Sequence, residues 1–317
     1  MALLQLFEPA DGAIVPLLGK EYEAFLKGKF EPDGSRDLDR PRETVLRFRA
    51  QPGARVHLRD GDGEEYDIAY TGAEVRLSFL KTGKKYEWYV TDGDDRSETF
   101  SFTTQDAPVR WIYVPGIANA RDIGGHMTRS GRRMAQGKLY RSSEWNSHEH
   151  LQPEGEELLT GVLRVRTEID LRGMYETAWP GADTRRINWK QFPVNSYGMM
   201  FKGASADTAF ELYRTLAREE IYPAFVHCWG GMDRTATVSA VLQALCGVPY
   251  EEIERDYVTS SFSHGGLRHP LFPGWPDLKA LLTRYPDDEE GSARELLEDL
   301  GLAPYELDEI RRILLER

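Results

Sequence analysis

One cysteine and one arginine have a spacing that suits phosphoryl transfer. Residues 225–242 read FVHCWGGMDRTATVSAVL, so Cys228 lies six residues before Arg234. The apolar run that ends at His227 predicts a buried strand, and the stretch that begins at Thr235 predicts a helix. A tight loop between a strand and a helix N-terminus presents backbone N–H groups that can bind a dianion. The pattern therefore predicts an anion site with a thiol at its base.

The side chains of this loop supply the groups that such a transfer needs. Gly230 and Gly231 allow the backbone to turn tightly. The dipoles around Cys228 favour its thiolate, because thiols in such sites have pKa values of roughly 3.5–7.5. Arg234 can clamp two phosphoryl oxygens with its fork of donors. Thr235 can donate a hydrogen bond to the sulfur and help it leave, so the loop suits a two-step transfer through phosphocysteine.

The two cysteines also have plainer interpretations. A lone cysteine after an apolar strand is more often a small core residue than a nucleophile. At Cys228, the glycines, Arg234 and Thr235 that follow favour the catalytic interpretation. Cys246 lies at a helix end among apolar residues, so we expect it in the core. We expect His227 to bond the loop backbone and hold its shape.

Several separated segments together resemble one enzyme family. The loop from His227 to Thr235 is similar to the His-Cys-x-x-Gly-x-Asp-Arg-Thr loop of a bacterial and fungal tyrosine phosphatase family, a branch of the cysteine-dependent protein tyrosine phosphatases. Other segments follow in that family's order: NARDIGG at 119–125, LYRS at 139–142, IDLR at 169–172 and PYEEIERDY at 249–257. Glu176 stands at the family's usual distance after the third segment. The resemblance covers residues 112–262.

The resemblance implies a reaction and a set of site residues. It implies hydrolysis of phosphotyrosine through a phosphocysteine intermediate, without a metal or another cofactor. The implied catalytic residues are Cys228, Arg234, Asp233 and Thr235. The implied substrate-binding residues are Trp229, Gly230, Gly231, Met232, His227, Arg121 and Asp122. Arg121 and Asp122 would either reach the pocket or orient residues of the loop.

Two positions of the loop depart from the family's pattern. Family members commonly have Lys where this chain has Met232, and Gly where it has Ala236. The missing lysine removes one positive charge, which should weaken binding of a phosphoinositide headgroup more than binding of phosphotyrosine. Met232 and Trp229 would give the loop an apolar rim that packs against a flat ring. The departures therefore favour aryl phosphates.

The general acid that protonates the leaving oxygen has two candidates. Many tyrosine phosphatases use the Asp of a Trp-Pro-Asp loop. Here Trp179 and Pro180 are followed by Gly181, 49 residues before Cys228, and Asp183 is displaced from the expected position. The resemblance instead implies Asp233, next to Arg234. Both aspartates remain candidates, with Asp233 favoured.

Composition limits the possible partners. The chain has 317 residues, a formal net charge of −12 and a pI near 5.2, which disfavours general nucleic-acid binding. Two cysteines 18 residues apart make neither a disulfide framework nor a structural zinc site. No apolar run reaches membrane-spanning length, and the first residues lack the pattern of a signal peptide. We expect a cytoplasmic protein, with secretion as the alternative if a leader has been removed.

The chain changes character near residue 107. Residues 1–107 contain short alternating segments separated by turn signals, which predicts an all-β sandwich. The last two segments, with Leu80 and Tyr86 at the place of a tyrosine corner, resemble a fibronectin type III domain. Residues 108–317 alternate strands and helices, which predicts an α/β phosphatase domain with a central, mostly parallel sheet. The sequence does not indicate a partner for the sandwich.

Three functions fit these patterns. The first is hydrolysis of phosphotyrosine on a protein or of a small phosphomonoester. The second is the same chemistry on phosphoinositides or inositol phosphates, for which a basic residue elsewhere must replace the missing lysine. The third is a phosphate-recognising module with weak catalysis, against which the intact Cys228, Asp233 and Arg234 count.

Overall fold

The computed structural model describes residues 4–173, Glu176 and residues 186–316. Fourteen strands of the described part form three sheets. Their bounds are β1 Gln5–Glu8, β2 Ala13–Val15, β3 Thr44–Arg49, β4 Arg55–Asp60, β5 Glu65–Ala69, β6 Val75–Leu77, β7 Lys85–Asp92, β8 Asp95–Arg96, β9 Phe100–Thr104, β10 Arg121–Asp122, β11 Leu139–Ser142, β12 Thr167–Asp170, β13 Asn188–Gln191 and β14 Ala224–His227.

Eight α-helices lie in the described residues. They are α1 Lys20–Leu26, α2 Pro153–Glu157, α3 Ala204–Leu216, α4 Arg234–Leu245, α5 Tyr250–Thr259, α6 Trp275–Leu282, α7 Glu289–Asp299 and α8 Pro304–Leu314. A π-helical turn, Leu158–Val162, continues α2. Short 3₁₀ turns lie at Tyr197–Phe201, Glu219–Ile221 and Ser260–Phe262. None of the described helices is long and apolar enough to span a membrane.

Two of the sheets belong to the N-terminal region. One has the order β1-β3-β6, and the other has the order β2-β9-β7-β4-β5 with β8 against β7. Side chains alternate along β7, where Tyr86, Trp88 and Val90 are buried, as expected of a strand with one face on a core. The Tyr86 hydroxyl accepts a hydrogen bond from the Lys81 backbone N–H at 2.8 Å, which resembles a tyrosine corner. Membership of the fibronectin type III family stays a prediction.

The N-terminal region is not all-β, contrary to the sequence prediction. Between β2 and β3 the chain leaves the sheets and forms α1. Tyr22 of α1 packs against Trp111 and Phe262, which come from the second half of the chain. The stretch from α1 to β3 reads as polar and turn-rich, so period-two patterning carries no signal for it.

The third sheet has the order β10-β11-β14-β12-β13 and is parallel except for β10. This agrees with the predicted mostly parallel α/β sheet. All four residues of the central strand β14 are buried. Val226 belongs to the core beneath α4 and its neighbouring helices, whereas Phe225 faces the opposite way and stacks on Tyr140. Both faces of this sheet are therefore covered, which explains the continuous apolar run.

One apolar core crosses residue 107. It joins Trp88 and Phe102 of the N-terminal sheets to Trp145 and Phe225 of the second half of the chain. Arg110 reinforces this junction, because its guanidinium donates to the carbonyl oxygens of Phe79 and Leu80. The two predicted regions thus share buried surface. The boundary at residue 107 itself stays a prediction.

Candidate active site

The loop that follows β14 lies at the carboxyl edge of the parallel sheet. We call Cys228–Arg234 the phosphate loop; β14 ends just before it, and α4 begins at Arg234. Crevices at this edge are where α/β folds commonly bind ligands. Gly231 has φ near +69°, and a Cβ there would lie 2.3 Å from the Ser142 carbonyl oxygen. Only glycine fits that position.

Four consecutive carbonyl groups of the phosphate loop accept hydrogen bonds from surrounding residues. The acceptors are the oxygens of Cys228, Trp229, Gly230 and Gly231, and their donors are His227 Nδ1 at 3.2 Å, Glu144 N at 2.8 Å, Asn119 Nδ2 at 3.1 Å and an Arg141 Nη at 2.7 Å. A trans peptide places its N–H opposite its C=O. The N–H groups of residues 229–232 therefore point away from these four donors. None of the described residues accepts a hydrogen bond from them, so this face can bind an anion.

The Cys228 thiol is buried beside that face. Burial raises the pKa of Cys228, but the charge of Arg234 and hydrogen bonds from the Thr235 side chain and backbone outweigh it and hold the pKa below its ordinary value. The Thr235 hydroxyl has no nitrogen or oxygen partner among the described residues, which leaves it available to the sulfur. The surroundings thus favour a thiolate.

Arg234 is held in place by Glu176. Its two Nη atoms each donate to a Glu176 carboxylate oxygen at 2.7 Å, and one also approaches the Leu171 carbonyl oxygen at 3.4 Å. Such a bidentate pair fixes the plane of the guanidinium. The Arg234 hydrogen bonds lower the pKa of Glu176 against the opposing effect of burial. Arg234 is thereby oriented next to the thiolate.

Asp233 is surrounded by donors. Arg268 donates to both carboxylate oxygens, from Nε at 2.9 Å and from an Nη at 2.8 Å, and the Tyr197 hydroxyl donates to one of them. Tyr197 in turn contacts the Tyr257 hydroxyl at 2.9 Å. Arg268 and Tyr197 therefore fix the orientation of the Asp233 carboxylate at the start of α4.

A buried carboxylate stands behind the phosphate loop. Asp256 accepts from Arg121 Nε and from an Arg141 Nη, both at 2.7 Å, with one arginine on each oxygen. Burial raises the pKa of Asp256, but the two arginines hold it far below its ordinary range. Since Arg141 also donates to Gly231, this ion cluster fixes one wall of the loop.

The family of the chain follows from a comparison with known families. The model of the tyrosine phosphatase family matches residues 112–272, just over half of the 317 residues. The chain belongs to this tyrosine phosphatase family. Family membership and the phosphate loop together make the protein a cysteine-based, hydrolytic phosphatase. The matched range includes the whole phosphate loop and Arg268.

Two solved structures have a distant similarity to the chain. The core catalytic domain of the PP-IP phosphatase Siw14 from S. cerevisiae, in complex with citrate, has 17% identity and a TM-score of 0.34, covering 53% of this chain and 94% of that chain. A second structure of the Siw14 catalytic core has 16% identity and a TM-score of 0.35, covering 52% and 89%. No curated protein matches the chain.

Two residues expected at the substrate lie elsewhere in this phosphatase. Arg121 is fully buried and donates to Asp256, Asn119 and Ser260. Asp122 is also buried and accepts from Arg110 at 2.7 Å. Both side chains are occupied by partners within the protein, so direct substrate contact does not match their placement. Arg121 supports the wall of the loop through Asp256, which is the other role that the resemblance allows.

The two residues expected at the rim of the loop differ in exposure. Trp229 is 52% exposed and meets the edge of His148 with ring centroids 4.9 Å apart. Met232 is only 2% exposed, because its side chain packs against Gly265, where a Cβ would lie 2.9 Å from the Met232 Cε. The expectation that Met232 forms an apolar rim is therefore wrong, and Trp229 alone has that position.

His227 belongs to a second buried charge cluster. Burial lowers the pKa of His227, but the hydrogen bond to Glu168 at 3.0 Å and the charge of Asp170 raise it above its ordinary value. The ligand atoms of these three residues lie within 4.8 Å of one another, which is close enough for a metal. However, Arg172 already donates to both Asp170 oxygens at 2.9 Å. The cluster therefore suits an ion network that anchors the loop.

Some expectations cannot be compared with the structure, and some contacts were not foreseen. Trp179, Pro180, Gly181 and Asp183 lie outside the described residues. Arg268 was missed, because it lies 35 residues after Asp233 and no local spacing connects them. Asn119 and Arg141 lie in the segments NARDIGG and LYRS, which resemble the family. This resemblance was the only feature of the sequence that indicated their contact with the loop.

Proposed function

We propose that the protein hydrolyses phosphotyrosine and related aryl phosphate monoesters through a phosphocysteine on Cys228. The observation that carries this proposal is the anchored carbonyl face of the phosphate loop, which directs four N–H groups to the side where a phosphate can bind. Arg234 would bind two phosphoryl oxygens beside these groups.

The reaction would proceed in two displacements. The Cys228 thiolate attacks phosphorus, the phosphorus–oxygen bond to the aryl group breaks, and the leaving phenolate takes a proton from the general acid. In the second step water attacks the phosphocysteine, gives a proton to the same carboxylate, and the phosphorus–sulfur bond breaks. Thr235 would stabilise the departing thiolate through its hydroxyl.

The surroundings of the loop support an aryl substrate. Trp229 is exposed at the rim and can pack against a ring. Arg234 and Arg268 are both paired with carboxylates of the described residues, so they offer little free charge to further phosphates. The second candidate is an inositol phosphate. Arg268 favours it, because this guanidinium adds a positive charge at the loop, where it contacts Asp233.

Phosphate release in the presence of a chelator tests this proposal. A phosphotyrosine peptide, a phosphoserine peptide and an inositol polyphosphate would be compared at mildly acidic pH. We expect turnover of the phosphotyrosine peptide by wild type and by Cys246→Ser, the matched control in the core, and none by Cys228→Ser. A preference for the inositol polyphosphate would support the second candidate, and folded, reduced protein without any turnover would favour a binding module.

The general acid is tested by the leaving group. Loss of a general acid should slow a poor leaving group more than a good one. We expect Asp233→Asn to reduce kcat for phosphotyrosine by about 10²–10⁴-fold but to affect p-nitrophenyl phosphate less. Asp183→Asn serves as the matched variant. If only Asp183→Asn showed this dependence on leaving group, Asp183 would be the acid.

A further inference from the structure

A segment of the N-terminal region lies against the phosphatase region next to the phosphate loop. We call Gly34–Asp39, which follows α1, the arm. Its backbone bonds to the stretch after α5: Gly34 N donates to Ser261 O at 3.0 Å, Leu38 N to Phe262 O at 2.6 Å, and Gly266 N to Gly34 O at 3.2 Å. The approach is close, since a Cβ on Gly34 would lie 2.3 Å from the carbonyl carbon of Gly266.

The arm ends in a buried carboxylate. Asp39 is 7% exposed, and one of its oxygens accepts hydrogen bonds from the Asn119 backbone N–H and from the Ser263 hydroxyl, the latter at 2.6 Å. Asn119 has φ near +57°, in the left-handed region, which is uncommon for non-glycine residues although asparagine adopts it more readily than most. The bond from Asp39 to the Asn119 backbone N–H helps to fix this conformation.

Asn119 passes this constraint to the phosphate loop. Its Nδ2 donates to the Gly230 carbonyl oxygen at 3.1 Å, while its Oδ1 accepts from Arg121. The Gly230 carbonyl sets the direction of the Gly231 N–H, because both belong to one planar peptide. Asp39, Asn119 and Gly230 thus form a continuous chain of hydrogen bonds from the arm to the anion-binding face.

The stretch beneath the arm reaches the loop at two more places. Gly265 packs against the buried Met232 side chain. Arg268 grips both oxygens of Asp233. The stretch against which the arm packs therefore contacts the phosphate loop at Met232 and at Asp233.

We propose that Asp39 is a positioning residue for the phosphate loop, contributed by the N-terminal region and acting through Asn119. The inference rests on the proposed function, because it assigns Asp39 to the same anion-binding loop. It gives the N-terminal region a part in building the active site.

Substitution of Asp39 tests this role in the full chain. Asp39→Ala removes the acceptor, so Asn119 and the Gly230 peptide lose their fixed direction. We expect kcat for the phosphotyrosine peptide to fall by roughly tenfold to a hundredfold, somewhat less than the loss when an oxyanion donor is deleted outright. Affinity for orthovanadate should fall by a similar factor, while KM changes by less than about threefold. Asp39→Asn keeps one oxygen that can accept both bonds and should recover most of the activity.

The matched control is Asp33→Ala. Asp33 is exposed just before the arm, and its side chain bonds only to Ser35 among the described residues. It should leave kcat and vanadate affinity unchanged. If Asp39→Ala fails to fold, Asp39→Ser replaces it. The serine side chain is too short to reach the Asn119 N–H, and it leaves room for water to bind the groups that Asp39 held.

Two further outcomes separate this inference from the proposed function. Variants that melt at lower temperature but keep wild-type kcat and vanadate affinity would overturn the positioning role and leave the phosphatase function intact. A wild type without turnover on any substrate would defeat the proposed function. In that case the affinities for vanadate still test the positioning role. A lower affinity in Asp39→Ala, together with near wild-type affinity in Asp39→Asn, would support it, and unchanged affinity in Asp39→Ala would overturn it.

Discussion

Ion pairs of the same length have different surroundings in the two halves of the molecule. In the N-terminal sheets, Arg55 and Asp67 meet at 2.7 Å with both side chains about half exposed. Behind the phosphate loop, Arg121 and Asp256 meet at the same distance with exposures of 0% and 5%. Water screens the first pair, so it adds little to stability, whereas the second is difficult to break without leaving a buried charge. The contact distance alone therefore does not show how much an ion pair contributes to stability.

The buried pairs lie where geometry matters most. The cluster around Asp256 holds Arg141 against the Gly231 carbonyl oxygen, and the cluster around Asp170 holds His227 behind Cys228. A buried ion cluster is rarely the most stable filling for a core. Here each cluster orients a donor toward the loop backbone, which an apolar side chain cannot do.

The largest expected effect comes from breaking the buried cluster. Asp256→Asn removes the charge between Arg121 and Arg141 with almost no change in volume. We expect the free energy of unfolding to fall by about 3–5 kcal/mol, since two buried guanidinium groups lose their counterion. Denaturant titration at neutral pH measures this loss. A loss below about 1 kcal/mol would show that the cluster is no different from a surface pair.

The same substitution should change the acid limb of stability. The folded pKa of Asp256 is depressed, so its contribution is present above the ordinary aspartate pKa of about 3.9 and is lost as pH falls through the lower folded value. Wild type should therefore lose this stabilisation at low pH. Asp256→Asn should lack that part of the pH dependence.

An effect of intermediate size is expected from the two cysteines, whose buried surroundings also differ in charge. Both are buried, but Cys228 lies among charged groups that lower its pKa, whereas burial raises the pKa of Cys246 to about 12. We expect iodoacetamide to modify Cys228 at least about a hundredfold faster than Cys246 in the folded protein at neutral pH. Peptide mapping after timed quenching measures both rates. Thr235→Ala should raise the pH at which Cys228 becomes reactive, and equal rates at the two cysteines would contradict the proposed thiolate.

The smallest effect is expected in the N-terminal sheets. Asp67→Asn removes the partner of Arg55 at a site open to water. The change in the free energy of unfolding should stay within about 0.5 kcal/mol and shrink further in high salt. It is the matched control for Asp256→Asn, measured by the same titration. A loss of several kcal/mol would mean that exposure does not govern these pairs.

Local patterns predicted the elements that carry the chemistry. The strand before Cys228 and the helix after it were predicted, with α4 beginning one residue early, at Arg234. Periodicity also predicts helices over 250–258 and 305–315, and α5 and α8 match these ends within about one residue. These elements have strong periodicity and clear end signals, so neighbouring residues are enough to define them.

Long-range contacts could not be predicted in this way. The bond from Asp39 to Asn119 joins residues 80 apart, and the bond from Arg268 to Asp233 joins residues 35 apart. Met232 was expected at the rim because its place in the loop suggests exposure, but the distant Gly265 leaves room that buries it. Helices α6 and α7 and strand β13 were also not predicted. Tertiary packing determines such details, because local sequence patterns do not show which distant residues come into contact.

The apolar core that crosses residue 107 couples the folding of the two halves of the protein. Phe225 of the central strand packs in the same cluster as Trp88, so removal of the N-terminal sheets would expose a face of the catalytic sheet. Neither half then has a complete interior of its own. We expect the two halves to unfold in a single cooperative transition, and a fragment that begins near residue 108 to aggregate rather than to fold.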